Sequence, residues 1–163
     1  MTITTGPFLL VGFFGALCLL SVRLALVDLR HGIIPDALNL AVAGLGVAKT
    51  AVEGGATAGL VAITELIAVA AAFWLFRRLY FALRKVHGLG LGDVKFLAAA
   101  TPWVGITGIP TLLLVAALTA LLVIGSMQLA GQQLTRQSSL PFGPFLALGL
   151  LSTLAAQQWF GLI

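Results

Sequence analysis

The sequence predicts an all-α fold, a polytopic membrane helix bundle of about six transmembrane helices. Its 163 residues are 60% hydrophobic and only 9% charged, with a mean hydropathy of +1.12, whereas a soluble domain has about 25% charged residues. Helices and closed barrels are the structures that satisfy every backbone polar group inside a bilayer. The apolar runs lack the alternation that is typical of a barrel strand. We therefore expect one transmembrane domain over residues 1–163.

The apolar runs and the breaks between them predict the individual spans, since about 20 helical residues cross a hydrocarbon core. Pro35 is expected in the first turn of the second helix, where a missing N–H costs little. A turn at 53–55 should precede the third span. Pro102 should kink the fourth, and residues 108–110 should turn into the fifth. The spans are expected at 8–27, 34–52, 56–76, 93–107, 111–130 and 140–163.

The basic residues are concentrated in alternate loops, and this predicts the orientation of the chain. Loops two and four hold only Lys49, and cytoplasmic loops generally carry the excess of Lys and Arg. The odd loops are therefore expected at the cytoplasmic face, with both termini non-cytoplasmic. The basic residues of the odd loops and their flanks are Arg23, Arg30, Arg77, Arg78, Arg84, Lys85, Lys95 and Arg136.

Two of the few acidic residues lie where a span meets this face. Asp28 ends the first span and Asp93 begins the fourth, and ionisable groups at such depth are usually retained for pairing or function. Simpler structural roles remain open: a helix cap for Asp93, an ion pair with Arg30 for Asp28, and a first-turn position for Asp36. Glu65, in the middle of the third span, is expected to make a polar contact between helices.

The stretch Gly90-Leu91-Gly92-Asp93 favours a site over a simple cap. A cap does not need glycines at 90 and 92, which permit positive φ and the close approach of another backbone. Two neighbouring carboxylates share one proton, so one can act as base and the other as acid, the arrangement that metal-free peptide hydrolysis needs. Lys95, two residues further on, is a candidate to bias which aspartate is charged.

Other catalytic and metal motifs are absent from the sequence. It contains neither HExxH nor GxSxG, and the single Cys18 permits no intramolecular disulfide and no CxxC metal site. We expect no metal and no cofactor. A competing hypothesis is a small proton-coupled carrier that uses Asp28, Asp93 and Glu65 as intramembrane charges. Carriers, however, place such groups near the midplane of the bilayer.

Three motifs together resemble the type IV prepilin peptidase family, which are GxGD-type membrane aspartic proteases. They are Asp28 followed by Ile34-Pro35-Asp36, then Gly90-Leu91-Gly92-Asp93-Val94-Lys95, then Pro141-Phe142-Gly143-Pro144-Phe145. The motifs match in order and spacing and span nearly the whole chain. The resemblance implies an aspartic endopeptidase with Asp28 and Asp93 as the catalytic pair.

The resemblance also implies a location, substrates and supporting residues. The enzyme would act at the cytoplasmic face of the bacterial inner membrane and remove the basic leader from type IV prepilins or type II secretion pseudopilins, just before their hydrophobic helix. The bilayer and these substrates are the expected partners, with no nucleic acid. The supporting or site-shaping residues would be Pro35, Asp36, Gly90, Gly92, Lys95, Pro141, Gly143 and Pro144.

One departure from the family pattern concerns methylation. Many members carry an extra cytosolic segment with paired CxxC motifs, which accompanies N-methylation of the new terminus. This sequence has one cysteine, so a protease without methyltransferase activity is expected. A third hypothesis, a catalytically silent assembly partner in a pilus or secretion complex, would predict the loss of one aspartate, and both are present.

Overall fold

The computed structural model describes residues 7–85, 89–131 and 141–160. These residues form four helices, α1 (Pro7–His31), α2 (Asp36–Arg84), α3 (Leu91–Leu129) and α4 (Gly143–Phe160), and no strand. Three stretches, Leu9–His31, Asp36–Arg84 and Leu91–Leu129, are long and apolar enough to cross a membrane. The all-helical prediction is confirmed, and the helices indicate a membrane protein.

Two glycines break the long helices into shorter segments. Gly55 has φ 81° and ψ −179°, and Gly105 has φ 70° and ψ 168°, a backbone region that favours glycine. An unbroken α2 would extend about 74 Å at 1.5 Å per residue, more than twice the roughly 30 Å of a hydrocarbon core. The described part of the chain therefore consists of six helical segments. The number of membrane crossings stays a prediction.

The break at Gly55 falls in the predicted turn 53–55, but the second break was predicted at the wrong place. Pro102 and Pro110 both lie inside α3, and Gly105 is the residue with non-helical dihedral angles. The carbonyl of Pro102 accepts a hydrogen bond from Thr50 Oγ1 at 3.2 Å. The carbonyl of Val104 accepts one from Gln157 Nε2 at 2.9 Å. Carbonyl groups freed at a helix end need such partners, and these come from α2 and α4.

The helices also begin at different residues from those predicted. Pro35 is the N-cap of α2, with φ −65° and ψ 134°, and not a first-turn residue. Its carbonyl accepts from the N–H groups of Leu38 and Asn39, at 3.1 and 3.3 Å. Helix α3 begins at Leu91, two residues before the predicted start, so Asp93 lies within its first turn. The residues 86–88 and 132–140, with Gly88, Arg136 and the predicted start at 140, lie outside the described ranges.

Helix α3 occupies the centre of the bundle and packs against α2 and α4, while α1 packs against the same two helices. The indole N–H of Trp103 donates to the carbonyl of Val42 at 2.9 Å. A Cβ at Gly46 would lie 2.6 Å from that indole nitrogen, and a Cβ at Gly149 would lie 2.6 Å from the carbonyl oxygen of Leu112. Small residues permit this close approach of membrane helices, here of α2 to α3 and of α3 to α4.

Candidate active site

Asp28 lies in the last turn of α1 and is only 4% exposed. Its Oδ2 accepts a hydrogen bond from the backbone N–H of Gly143 at 2.7 Å. Gly143 is the first residue of α4, and the first N–H groups of a helix have no partner within the helix. The carboxylate of α1 therefore pairs with the N-terminus of α4, which favours negative charge.

Only a glycine fits at position 143. A Cβ there would lie 2.6 Å from Asp28 Oδ2 and 2.9 Å from Asp28 Cβ, distances too short for non-bonded atoms. The neighbouring Pro144 is the second residue of α4, where proline is tolerated because no intrahelical N–H bond is lost. The predicted site-shaping segment thus lies directly against one of the two predicted catalytic residues.

Asp93 is held by a similar local arrangement at the start of α3. The backbone N–H of Gly90, the N-cap residue, lies close to its carboxylate and attracts it electrostatically. This is the acidic half of a capping box, in which a side chain three residues into a helix reaches back to the N-cap N–H. The cap interpretation of Asp93 is therefore correct as a contact, although Gly90 and not Asp93 occupies the N-cap position.

The glycines at 90 and 92 provide space and not an unusual backbone conformation. Gly90 has φ −64°, and neither glycine has positive φ, so that part of the prediction is wrong. A Cβ at Gly90 would lie 2.8 Å from Asp93 Oδ2, and a Cβ at Gly92 would lie 3.2 Å from Ile34 Cβ. The atoms close to the two glycines belong to the side chains of Asp93 and Ile34, so the approach of another backbone stays a prediction.

A pocket of about 750 Å³ lies at one end of the bundle and is lined by residues from all three predicted motifs. Asp28 and Asp93 both line it, and their carboxylates lie within electrostatic range of each other. Gly32, which sequence reasoning missed, also lines the pocket and has φ 63°. Its position directly after the end of α1 was the available signal. The remaining lining residues are Ile33, Ile34, Asp36, Leu89, Gly90, Leu91, Gly92, Lys95, Pro141 and Phe142.

Lys95 and Asp36 form an ion pair beside this pocket. The Lys95 Nζ lies 2.6 and 2.7 Å from the two carboxylate oxygens of Asp36, and so joins the start of α3 to the start of α2. The side chains are 41% and 74% exposed, so the pair contributes about 0–1 kcal/mol. Lys95 was predicted to bias which of the two aspartates is charged. In this structure its ammonium group is bound to Asp36, so any such effect on Asp93 comes from a lysine that is already paired.

Two other predicted contacts are not formed among the described residues. The ion pairs among the described residues are Lys49–Glu53 and Lys95–Asp36, so Asp28 does not form the predicted pair with Arg30. Glu65 takes part in none of their hydrogen bonds, and the expected polar contact with a neighbouring helix is not formed. The same residues contain no group of three or more His, Cys, Asp or Glu side chains that could hold a metal ion.

The fold and the site define a class: helical membrane proteins in which two aspartates, remote in sequence, face one pocket at the end of the bundle. Residues 9–125 match the model of the type IV leader peptidase family. The chain belongs to that family, as its motifs predicted.

Curated relatives carry names in agreement with this family. The chain is 36% identical over 148 residues to "Leader peptidase HopD" of Escherichia coli, covering 88% of each chain. It is 35% identical over 147 residues to a "Prepilin leader peptidase/N-methyltransferase" of Xanthomonas campestris, covering 83% of this chain and 47% of that protein. A protein of the same name from Burkholderia pseudomallei is 32% identical over 161 residues, 93% of this chain and 50% of the relative. The chain thus spans about half the length of these last two relatives. No solved structure matches it.

Proposed function

We propose that this chain is a membrane-embedded aspartic endopeptidase that removes the basic leader from type IV prepilins or type II secretion pseudopilins. The observation that carries the proposal is the convergence of Asp28 and Asp93 on one pocket, each held by a backbone N–H at the start of a helix. The family membership and the names of the relatives support the choice of substrate.

The two carboxylates provide what hydrolysis of a peptide bond requires. One carboxylate, as base, takes a proton from a water that attacks the scissile carbonyl carbon. The other, protonated, donates its proton to the leaving amine when the C–N bond breaks. The hydrogen bond from Gly143 restricts the motion of the Asp28 side chain, and the nearby N–H of Gly90 favours one position of the Asp93 carboxylate. Both effects lower the entropic cost of aligning the side chains with the substrate.

We propose that the helices cross the bacterial inner membrane six times, with both termini non-cytoplasmic and the aspartate pocket facing the cytoplasm. The Lys95–Asp36 contact supports this topology because it brings the starts of α2 and α3 to the same end. The Thr50–Pro102 contact brings the regions of the two breaks together. The basic residues flank the aspartate end, in agreement with the cytoplasmic excess of Lys and Arg.

Substitution of each aspartate tests the proposal. Asp28→Asn and Asp93→Asn are each expected to abolish cleavage of a co-expressed prepilin, because an amide can neither accept nor donate the transferred proton. In the Asp28→Asn variant the amide oxygen can still accept from the Gly143 N–H, so membrane insertion should be unchanged. Glu65→Gln is the matched control and should retain cleavage. Full processing by either aspartate variant would refute the peptidase proposal. Loss of activity in Glu65→Gln would favour the carrier hypothesis.

A further inference from the structure

An apolar groove lies beside the aspartate pocket, between the two segments of α2 and the first segment of α3. Its volume is about 740 Å³. The small side chains of Ala70, Ala98 and Ala99 line it, together with larger apolar side chains that are exposed, among them Leu40 and Trp74. Small side chains let another helix approach closely in lipid. The groove therefore has the shape and polarity to hold an apolar polypeptide segment.

The groove is continuous with the candidate active site. Asp36, Leu91 and Lys95 line both the groove and the pocket that contains Asp28 and Asp93. Along α3 the groove extends from Leu91 to Ala99, about 12 Å at 1.5 Å per residue. About two turns of a bound helix would fit along it before the chain passes into the aspartate pocket.

Asn39 is a polar residue of the groove whose side-chain amide needs hydrogen-bond partners. Its side chain is 5% exposed and lines the groove, and its amide nitrogen and oxygen are both buried and without a hydrogen-bond partner among the described residues. A buried amide without partners is costly, and it needs both an acceptor for its NH₂ group and a donor for its oxygen. A lipid acyl chain offers neither. A peptide backbone offers both wherever a helix begins or unwinds, because its C=O and N–H groups are then unpaired.

We propose that this groove binds the apolar helix of the substrate, and that the Asn39 side chain rotates into the groove and pairs with the substrate backbone where that helix unwinds toward the aspartates. The inference rests on the proposed peptidase function and names a binding site outside the catalytic pair. Asn39 lies three residues along α2 from Asp36, about 4.5 Å, and Asp36 marks the junction of groove and pocket. The substrate therefore becomes extended just before it reaches Asp28 and Asp93.

Cross-linking tests the location of the substrate helix. The full chain, with Cys18→Ser, receives a cysteine either at Ala70, which lines the groove, or at Ala72, which is exposed and does not line it. Residues two positions apart point about 200° apart around a helix. A co-expressed prepilin with one cysteine in its apolar segment should cross-link to Ala70→Cys and at least tenfold less to Ala72→Cys. Equal cross-linking, or cross-linking to Ala72→Cys alone, would overturn the inference.

Kinetics test the contribution of the groove to cleavage. The two substrates are the prepilin and a short peptide that contains the leader and cleavage site without the apolar segment. For Asn39→Leu and for Ala70→Phe, kcat/KM for the prepilin relative to the peptide should fall about tenfold, mainly through KM, as expected for the loss of about two hydrogen bonds or of the bound helix. The control Ala72→Phe should leave the ratio unchanged. A groove filled by lipid predicts an unchanged ratio in all three variants, and that result would overturn the inference.

The outcomes separate this inference from the peptidase proposal. If the unsubstituted chain cleaves the prepilin but only the Ala72→Cys variant cross-links to it, the groove inference fails and the peptidase function stands. If it cleaves neither substrate while Ala70→Cys still cross-links to the prepilin, the peptidase proposal fails and the groove remains the binding surface of the prepilin helix.

Discussion

Replacement of Gly143 by alanine should disable the site without unfolding the bundle. The added Cβ would lie 2.6 Å from Asp28 Oδ2 and 2.9 Å from Asp28 Cγ, so the carboxylate has to move away from the N–H that holds it at 2.7 Å. Hydrogen bonds to charged groups contribute about 1.5–3 kcal/mol. Loss of this bond, if it were fully expressed in the transition state, would lower kcat/KM about 10- to 150-fold.

The assay is cleavage of a prepilin by purified enzyme in detergent, with unfolding of each variant followed in parallel. Gly44→Ala is the matched control, because Gly44 also lies in a helix and a Cβ there would meet no atom within 4 Å. Alanine is favoured over glycine inside a helix by about 1 kcal/mol, so this variant should be slightly stabilised and fully active.

Two results would refute the reasoning about Gly143. If Gly143→Ala cleaves the prepilin at the rate of the Gly44→Ala control, the contact between Gly143 and Asp28 is not needed for activity. If Gly143→Ala loses activity only because its unfolding temperature collapses, the glycine serves packing at the start of α4 and not the position of the carboxylate. Retained stability with at least tenfold lower kcat/KM is the expected result.

The other predictions concern Asp93, the ion pair and metals. Gly90→Ala should lower kcat/KM about tenfold or more, because a Cβ would lie 2.8 Å from Asp93 Oδ2 and disturb the attraction between this carboxylate and the Gly90 N–H; activity equal to that of the Gly44→Ala control would contradict this. In the double variant Asp36→Lys with Lys95→Asp, the free energy of unfolding should stay within about 1 kcal/mol of that of the unsubstituted chain, since the exposed ion pair contributes little. A larger decrease, measured by denaturant unfolding, would show that the ion pair holds α2 to α3. Cleavage should be unchanged by EDTA, and inhibition reversed by one added metal would argue against catalysis by two aspartates alone.

Much of the fold could be predicted because apolar runs in a membrane chain have few structural solutions. The break at Gly55 follows a glutamate and a glycine in an apolar stretch, a local signal. The break at Gly105 has no such signal. It depends on Thr50 and Gln157, which provide hydrogen bonds to Pro102 and Val104 from distant parts of the chain. For the same reason the kink predicted at Pro102 and the turn predicted at residues 108–110 are wrong.

The site could be predicted in its residues but not in its contacts. Asp28 and Asp93 were identified from motifs and from their place at span ends, which are local features. The hydrogen bond between Asp28 and Gly143 joins residues 115 positions apart, and the Lys95–Asp36 pair joins residues 59 positions apart. No sequence pattern here specifies those pairings. The roles of the glycines likewise depended on which side chain approaches each one, and only the packed structure shows that.

The positions of the two aspartates are set by helix starts and not by loops. Asp28 belongs to α1, but its carboxylate is bound to the first N–H of α4. Asp93 lies in the first turn of α3, close to the N–H of the N-cap residue Gly90. Helices α3 and α4 pack closely enough that a Cβ at Gly149 would lie 2.6 Å from the carbonyl oxygen of Leu112. Leu112 lies in the second segment of α3, beyond the break at Gly105, whereas the first segment, which carries Asp93, is joined to α4 by the hydrogen bond from Gln157 to Val104. The separation of the two carboxylates therefore depends on how α4 packs against both segments. A larger side chain at Gly149, on the buried face of α4 outside the pocket, is expected to move α4 and the Gly143 N–H that binds Asp28, and so to lower prepilin cleavage while every residue of the pocket is unchanged.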